Sequence, residues 1–392
     1  MTSVRVVGAG LSGLATAWYL ADAGLSVQIV DRASLPGGLI STRRVPEGLV
    51  ETAANAFVTS ERVERLFRAA GVTPLSPAPA ARRRYVFRSG RPRRWPMTAM
   101  ETALAAARMS AATVLGRRAP RAAESVGAWG ERVFGRAAVD RLLSPALQGI
   151  YGAAADELSA RAVFGSPRVR APLVAPAGGM GELVERLASA LERRGVRFVW
   201  NRPVVSLPAG EPAVLAVPAA AAAPLLAPHA PRLAAAVSRI RMASIATVTA
   251  FFPPHPEDLR GFGVLFPRGE GVQALGVLFN SDIFAGRSSL RSETWIYRAA
   301  PAGTPETADD FRPQLAADRV VLTGRASSPI AVYPTLWPAA LPIYDAAVID
   351  AAAALDDLPP WLGVCGNYLG RLGVAKLLDV AAETAARLSG NC

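Results

Sequence analysis

Apolar positions near the start of the chain change rhythm twice, and the changes predict three elements. Val4, Val6 and Val7 form a short apolar run, followed by Gly8, Gly10 and Gly13. Leu14, Ala17, Trp18 and Leu20 then recur at helical spacing, and Val27, Ile29 and Val30 form a second run that ends on Asp31. This reads as strand, tight glycine turn, helix, strand and acid, the unit that binds a dinucleotide. Gly8 allows the turn out of the strand, Gly10 lets a pyrophosphate approach the backbone, and Gly13 lets the helix pack on the sheet. The helix is opened by Leu11 and Ser12 and offers phosphates its free N–H groups and positive dipole end. Asp31 follows Gly13 by 18 residues, where an acid meets a ribose hydroxyl pair, with Arg32 beside it.

The pattern continues in α/β style. Gly37 and Gly38 make a second glycine turn, and Glu47-Gly48 turns a hairpin whose return strand is Leu49-Val50-Glu51. A helix is predicted over 61–71, with Val63, Leu66 and Phe67 on one face, and three more over 98–115, 121–134 and 137–150. Residues 176–207 read as a glycine turn, an amphipathic helix with Leu183, Leu187, Ala190 and Leu191 inward, and a strand. AVLAVP (213–218) is a further buried strand. ATVTAFF (246–252), GFGVLFP (261–267), ALGVLF (274–279), TWIYRA (294–299) and RVVLTG (319–324) predict a mixed sheet. Residues 359–388 repeat the opening architecture of strand, glycine turn and helix, so the C-terminus is expected to complete the first domain.

Composition sharpens this. The net charge is +12, yet Lys376 is the only lysine, and His229 and His255 are the only histidines. Acid/base catalysis by side chains is poorly supplied, so a cofactor is expected to carry the chemistry. The two cysteines, Cys365 and Cys392, suit neither a disulfide framework nor a metal site, and no metal is expected. With no signal peptide before the first strand, a cytoplasmic location is expected. The uncharged segment 212–230 holds four prolines and reads as strand plus alanine-rich helix, not as a membrane span. From Arg82 to Arg136 there are 13 arginines against three acids, with apolar residues between them. Nucleic acid is not expected, for want of any recognition motif. A peripheral, anionic membrane surface fits a basic, apolar helical stretch better, and a merely solvated arginine face remains open.

Four segments give the chain a family likeness: GFGVLFPRGEGVQALGVLFNSDIFAGR (261–287), AVDRLLSPALQGIYGAAADELSARA (138–162), TLWPAALPIYD (335–345) and GNYLGRLGV (366–374). With the opening fingerprint, they resemble the protoporphyrinogen/coproporphyrinogen oxidase group of the FAD-linked amine oxidase superfamily, over nearly the whole chain. The resemblance implies an α/β fold. A Rossmann-like FAD-binding domain is built from 1–77, 176–230 and 351–392, a helical basic insert from 78–175 and a mixed-sheet substrate domain from 231–350. It implies FAD, with Gly37 and Gly38 as added contacts, Val204 and Val205 on the adenine side, and Gly366, Asn367, Gly373 and Val374 at the flavin ring.

The resemblance also implies substrate contacts. Arg84 would pair with a propionate, Leu265 and Leu278 would sandwich a tetrapyrrole ring, and Tyr297, or else Trp295, would stack on another. Gly149 and Gly152 would line the cavity. The implied activity is oxidation of protoporphyrinogen IX or coproporphyrinogen III to the porphyrin in heme biosynthesis, with dioxygen as the final acceptor. Two alternatives stay open: a relative oxidising an amine or secondary metabolite, and a non-enzymatic flavoprotein scaffold. The chain departs from the family at Ala53-Ala54, where Gly-Pro is usual, and after Val374, where Ala375-Lys376 stand. Cys365 lies close enough to the flavin turn to raise covalent attachment.

Overall fold

The computed structural model describes residues 3–165, 171–300, 307–371 and 373–390. Strand Ser3–Val7 lies at the centre of a five-stranded parallel sheet. Ser26–Val30 and then Arg197–Val199 pair on one side of it, and Ala213–Leu215 and then Leu362–Val364 on the other. In chain order the strands run 3-2-1-4-5, so the order reverses between Ser3–Val7 and Ala213–Leu215. The crevice beyond the carboxyl ends of those two strands is where an open α/β sheet takes its ligand. Helix Leu11–Asp22 packs against the last helix, Val374–Ser389. Between them the buried Cys365 thiol sits 3.4 Å from Thr16 Oγ1 and donates to Thr384 Oγ1 at 3.3 Å.

A seven-stranded mixed sheet forms the second layer. Its order is Ala331–Pro342, Met242–Phe252, Arg291–Arg298, Gly276–Phe279, Gly263–Leu265, Arg84–Arg88 and Arg91–Arg93. Neighbours are antiparallel except Gly263–Leu265 with Arg84–Arg88. One face buries Val248, Val277, Trp295 and Tyr297 together with Phe311 and Leu315 of helix Phe311–Thr323. The other face meets the parallel-sheet half, where Thr247 Oγ1 and Trp337 Nε1 both donate to the Thr52 carbonyl, at 2.9 and 2.6 Å. A buried ion pair ties the halves again: Arg287 Nη1 donates to Glu51 Oε1 at 2.5 Å.

Two local elements differ from the sequence reading. RVVLTG belongs to helix Phe311–Thr323, not to a strand. Phe311, Leu315, Asp318 and Arg319 are the buried positions, at helical spacing, while Val320 and Val321 are about 40 % exposed. A short apolar run does not by itself distinguish a strand from a helix. Within the stretch read as helical, Arg84–Arg88 and Arg91–Arg93 form an edge hairpin of the mixed sheet. The helix expected over 137–150 is present but composite. Pro145 cannot donate a backbone hydrogen bond, and Val139–Leu143 ahead of it winds as a wider π turn.

The edge hairpin is fastened to helix Ala99–Val114 by Arg88, whose Nη1 lies 2.8 Å from Glu101 Oε2. Hydrogen bonds from Arg88, and then from the Thr98 N–H, hold the Glu101 carboxyl well below its ordinary value, at about 2. A depressed carboxylate stabilises the fold above its unfolded value and loses that contribution as pH falls through the folded one. Helix 99–114 should therefore keep its amide protection at neutral pH and lose it selectively as pH drops from 4.5 toward 2. In an Arg88→Ala protein the same loss should occur nearer 4.5; equal profiles for the two proteins would refute the tie.

Candidate active site

The glycine turn is built as its spacing demands. A Cβ on Gly8 would lie 2.3 Å from the Ala216 carbonyl oxygen, and one on Gly13 would lie 1.9 Å from the Gly8 oxygen. Both positions are closed to side chains by the protein itself. Gly10 differs: its nearest neighbours would be the Gly37 oxygen at 3.8 Å and Gly38 Cα at 3.9 Å. Packing leaves room for a methyl group there, so the demand for glycine comes from whatever approaches the open side. Gly10 caps the helix with no side-chain acceptor on its first N–H groups, at Leu11, Ser12 and Gly13.

Asp31 closes the crevice at the end of strand Ser26–Val30. Its carboxylate accepts from Ala9 N at 2.6 Å and from Ala33 N at 2.7 Å. A carboxylate has about four acceptor positions, so two remain for hydroxyl groups. Arg32 is exposed beside it. Gly37 N donates to the Ala9 carbonyl at 3.0 Å, which lays the Gly37-Gly38 turn along the first turn. Asn201 N and Arg202 N donate to the Ala33 and Asp31 carbonyls at 3.0 and 2.8 Å, bringing the segment before Val204 and Val205 to the same end of the sheet. Val205 is 86 % exposed and neither valine is in a strand.

At the C-terminal end, Tyr344 donates its hydroxyl to the Asn367 carbonyl at 2.6 Å, and Asn367 Nδ2 donates to the Ala340 carbonyl at 3.1 Å. These bonds dock the Gly366–Gly370 turn on the last strand of the mixed sheet. A Cβ on Gly366 would strike the Tyr368 ring at 2.3 Å, so glycine at this position serves internal packing. Gly373 caps helix Val374–Ser389, again with no side-chain acceptor. Cys365 faces the helices instead of the turn, and burial pushes its thiol up. All yellow colour should therefore leave the denatured protein; colour retained in the pellet would count against this placement.

The expected substrate residues divide by sheet face. Gly263 pairs with both Arg84 and Leu278, and Leu265 pairs with Gly276, two residues before Leu278. Arg84, Leu265 and Leu278 thus share the face toward the parallel-sheet half, and Leu278 packs against that half's core. Arg84 lies at the rim, exposed, its guanidinium 4.4 Å over the Phe262 ring. Helix Ser144–Tyr151 covers this face: a Cβ on Gly149 would lie 3.0 Å from Leu265, and one on Gly152 3.4 Å from Ile245.

Tyr297 is the exception. It pairs with Ala246, is 1 % exposed, and packs 5.5 Å from Phe311 under the covering helix. Trp295 shares that side. Neither can reach a ligand on the Leu265 face, because side chains alternate along a strand. Ile296, opposite Gly276 and Thr247, occupies the facing position. TWIYRA carries bulky residues at both parities, and only the pairing register separates them.

Sequence reasoning also missed two buried polar atoms without a hydrogen-bond partner, Gln148 Oε1 and Thr335 Oγ1. Thr335 pairs with Thr247, so it belongs to the same sheet face. Lys376 is exposed on the first turn of the last helix. His229 is held by the Leu207 carbonyl and Trp361, and His255 by a turn with Asp258. No cluster of metal-binding side chains occurs among the described residues.

The donor set fits a flavin dinucleotide. Gly10 leaves the close approach a pyrophosphate needs, Asp31 keeps acceptors for a ribose, and the uncapped helix at Gly373 offers N–H groups and a positive end to a ring that gains negative charge. A family model described as flavin containing amine oxidoreductase matches residues 11–339. The chloroplastic protoporphyrinogen oxidase of Nicotiana tabacum is 23 % identical, with 98 % of this chain and 85 % of that protein aligned. The coproporphyrinogen III oxidase of Mycobacterium leprae is 26 % identical, with 97 % of each chain aligned. Among solved structures, a candidate protoporphyrinogen oxidase from Exiguobacterium sp. 255-15 superposes with a TM-score of 0.81 at 17 % identity, over 100 % of this chain and 99 % of that one. A match of this extent settles the family: the chain belongs to the flavin containing amine oxidoreductases and is an FAD-dependent oxidase.

Proposed function

We propose that this oxidase converts a porphyrinogen, protoporphyrinogen IX or coproporphyrinogen III, to its porphyrin, with dioxygen as the final electron acceptor. The observation that carries the reading is the half-buried apolar face on which Leu265, Leu278 and Ile296 lie together, with Arg84 at its edge. Its side chains are aliphatic, and the exposed Arg84 stands at the rim. FAD, when bound, supplies a two-electron acceptor for hydride from a bridging carbon of the macrocycle. The chain's own residues then have positional tasks. Leu265, Leu278 and Ile296 exclude water and offer flat apolar contact, and the lack of side chains at Gly149 and Gly152 lets helix Ser144–Tyr151 close directly onto this face. Arg84 can grip a carboxylate through two parallel hydrogen bonds. A macrocycle that gives up hydride readily asks for orientation more than for acid/base groups. The test is to mix the purified, flavin-loaded protein with each porphyrinogen in air and follow porphyrin fluorescence. A rate well above enzyme-free oxidation is expected; a rate equal to it for both substrates would overturn the reading.

We also propose that the oxidase works at an anionic membrane surface. Helix Ala99–Val114 has Ala112 as its one buried residue, and Met100, Leu104, Val114 and the capping Leu115 form an exposed apolar stripe at helical spacing. Trp95 is 55 % exposed nearby, and Arg94, Arg108, Arg117 and Arg118 are exposed around the stripe. Such a helix lies in a headgroup layer, drawn by charge and held by apolar burial. No helix among the described residues is long and apolar enough to cross a membrane. The protein should sediment with vesicles containing anionic lipid and not with neutral ones, and Leu104→Glu should abolish sedimentation while activity in detergent persists. Sedimentation of the variant to the wild-type level would refute the surface.

A further inference from the structure

Tyr344 is 1 % exposed and is held from three sides. Its carbonyl accepts from Ser159 N at 2.6 Å, its ring packs 5.1 Å from the Tyr151 ring, and its hydroxyl donates to the Asn367 carbonyl at 2.6 Å. Burial pushes the phenol up, so the hydroxyl keeps its proton and stays a donor. Asn367 answers with its side chain, whose Nδ2 donates to the Ala340 carbonyl at 3.1 Å. The two bonds clamp the Gly366–Gly370 turn to segment 340–344 of the mixed-sheet half. The strand bends to make this clamp. Ala339 has φ +48°, a conformation unfavourable for alanine, and its N–H donates to Ser244 Oγ at 3.1 Å, where the register shifts between Ala243 and Ile245. Strain of this kind persists where its surroundings over-determine it, and it gathers at functional sites. Beyond the turn, Gly370 and Gly373 adopt φ of +80° and +118°, so the backbone alone does not fix how helix Val374–Ser389 approaches the crevice.

We infer that Tyr344 is a positioning residue for the flavin: its hydroxyl sets the approach of the last helix's N-terminus to the ring, and through it the ring's preference for the reduced state. The inference rests on the FAD placement proposed at Gly373 and not on which substrate is oxidised. In this assignment Tyr344 touches neither ring nor substrate. It acts through Asn367, whose carbonyl it holds and whose turn leads to Gly373. The positive end of a helix stabilises negative charge within its first turn only, so a small withdrawal of that end forfeits much of the benefit. Reduction adds negative charge to the ring, and the reduced form therefore loses more than the oxidised form when the clamp opens.

Tyr344→Phe keeps the ring packing and removes only the donor. Tyr368 and Leu369 still anchor the turn in the helical core, so the variant is expected to fold. Equilibrium reduction of the flavin-loaded protein against a reference dye should show the two-electron midpoint potential lowered by about 30 mV, a tenfold loss of preference for the reduced ring. The apoprotein's Tm should fall by no more than about 3 °C, the loss of one hydrogen bond. A Tyr344→Phe potential equal to wild type, or a lowered Tm as the only change, overturns the inference. Should Tyr344→Phe fail to fold, Ser244→Ala takes its place: it frees the Ala339 N–H, loosens the Ala340 carbonyl behind the clamp and should lower the potential in the same direction. A Ser244→Ala potential equal to wild type then overturns the inference. If flavin bound to the wild-type protein is no easier to reduce than free FAD, the ring does not face the helix end, and the placement falls together with the inference. Porphyrinogen turnover does not enter these measurements, so failure of that reading is seen separately.

Discussion

Gly10→Ala protein will fold and fail to hold FAD, whereas Gly13→Ala protein will fail at both. The two glycines sit three residues apart in one motif, yet the structure gives them different neighbours. A Cβ at Gly13 would lie 1.9 Å from the Gly8 oxygen and 3.3 Å from Ala216 Cβ, so the helix must lift from the sheet. Since the same helix holds one side of the Cys365 thiol contact and packs on the last helix, the disturbance spreads to the C-terminal turn. A Cβ at Gly10 meets only ordinary contacts within the protein, at 3.8 and 3.9 Å. In the proposed FAD placement its methyl group instead projects where the pyrophosphate approaches the backbone. FAD affinity should fall on the order of a hundredfold, which is about 2.7 kcal/mol, with the apoprotein's Tm unchanged. Flavin absorbance after gel filtration and a melting curve of the stripped protein check both halves. Equal flavin content in Gly10→Ala and wild type would remove the pyrophosphate assignment.

Arg287→Ala should be the most destabilising single change outside the glycine turn. Arg287 and Glu51 are 3 % and 4 % exposed, and their ion pair spans the two halves of the molecule. Glu51 also accepts from Thr42 Oγ1 at 2.7 Å and from Met180 N at 2.9 Å, at the start of helix Met180–Arg193. Burial pushes the Glu51 carboxyl up, and Arg287, Thr42 and the Met180 N–H pull it back. Removing the guanidinium leaves a buried carboxylate with neutral partners only, a change that costs about 3–5 kcal/mol. The sign of the pH response follows. Burial already holds the folded carboxyl above its ordinary value beside Arg287, and with Arg287 gone it rises further, so protonation relieves the penalty. Arg287→Ala protein should gain stability relative to wild type as pH falls, and lose it as pH rises through the raised folded value. Adding Glu51→Gln should recover part of the loss at neutral pH, since the two residues share one interaction. Denaturant midpoints of the four proteins at two pH values measure all of this. Strict additivity of the two single changes would show that the pair is not coupled.

Much of the dinucleotide half was legible from residue order alone. Strand, turn, helix and acid lie within 31 residues, and local periodicity and glycine spacing carry their information without reference to the rest of the chain. The C-terminal strand and helix were readable for the same reason. The substrate half was less so. RVVLTG, read as a strand, is the end of a helix because tertiary packing chose Phe311, Leu315 and Arg319 as its inner face. Arg84 could be numbered in the sequence, but its sharing a face with Leu278 follows from both pairing with Gly263.

The sequence by itself determined the βαβ turn, the acid that ends it and the shortage of imidazole and amine bases, because each is a local or compositional property. Tertiary structure alone decided which side of the mixed sheet each residue occupies. Tyr297 and Ile296 are adjacent in the chain, yet one is sealed under a helix while the other faces the Leu265 side. A strand turns its side chains alternately to two faces, and the face that meets a ligand is set by pairing with strands up to 213 residues away, from Arg84 to Tyr297. The lone acceptor of Gln148 belongs to the same class, since a missing partner is visible only when every neighbour is in place.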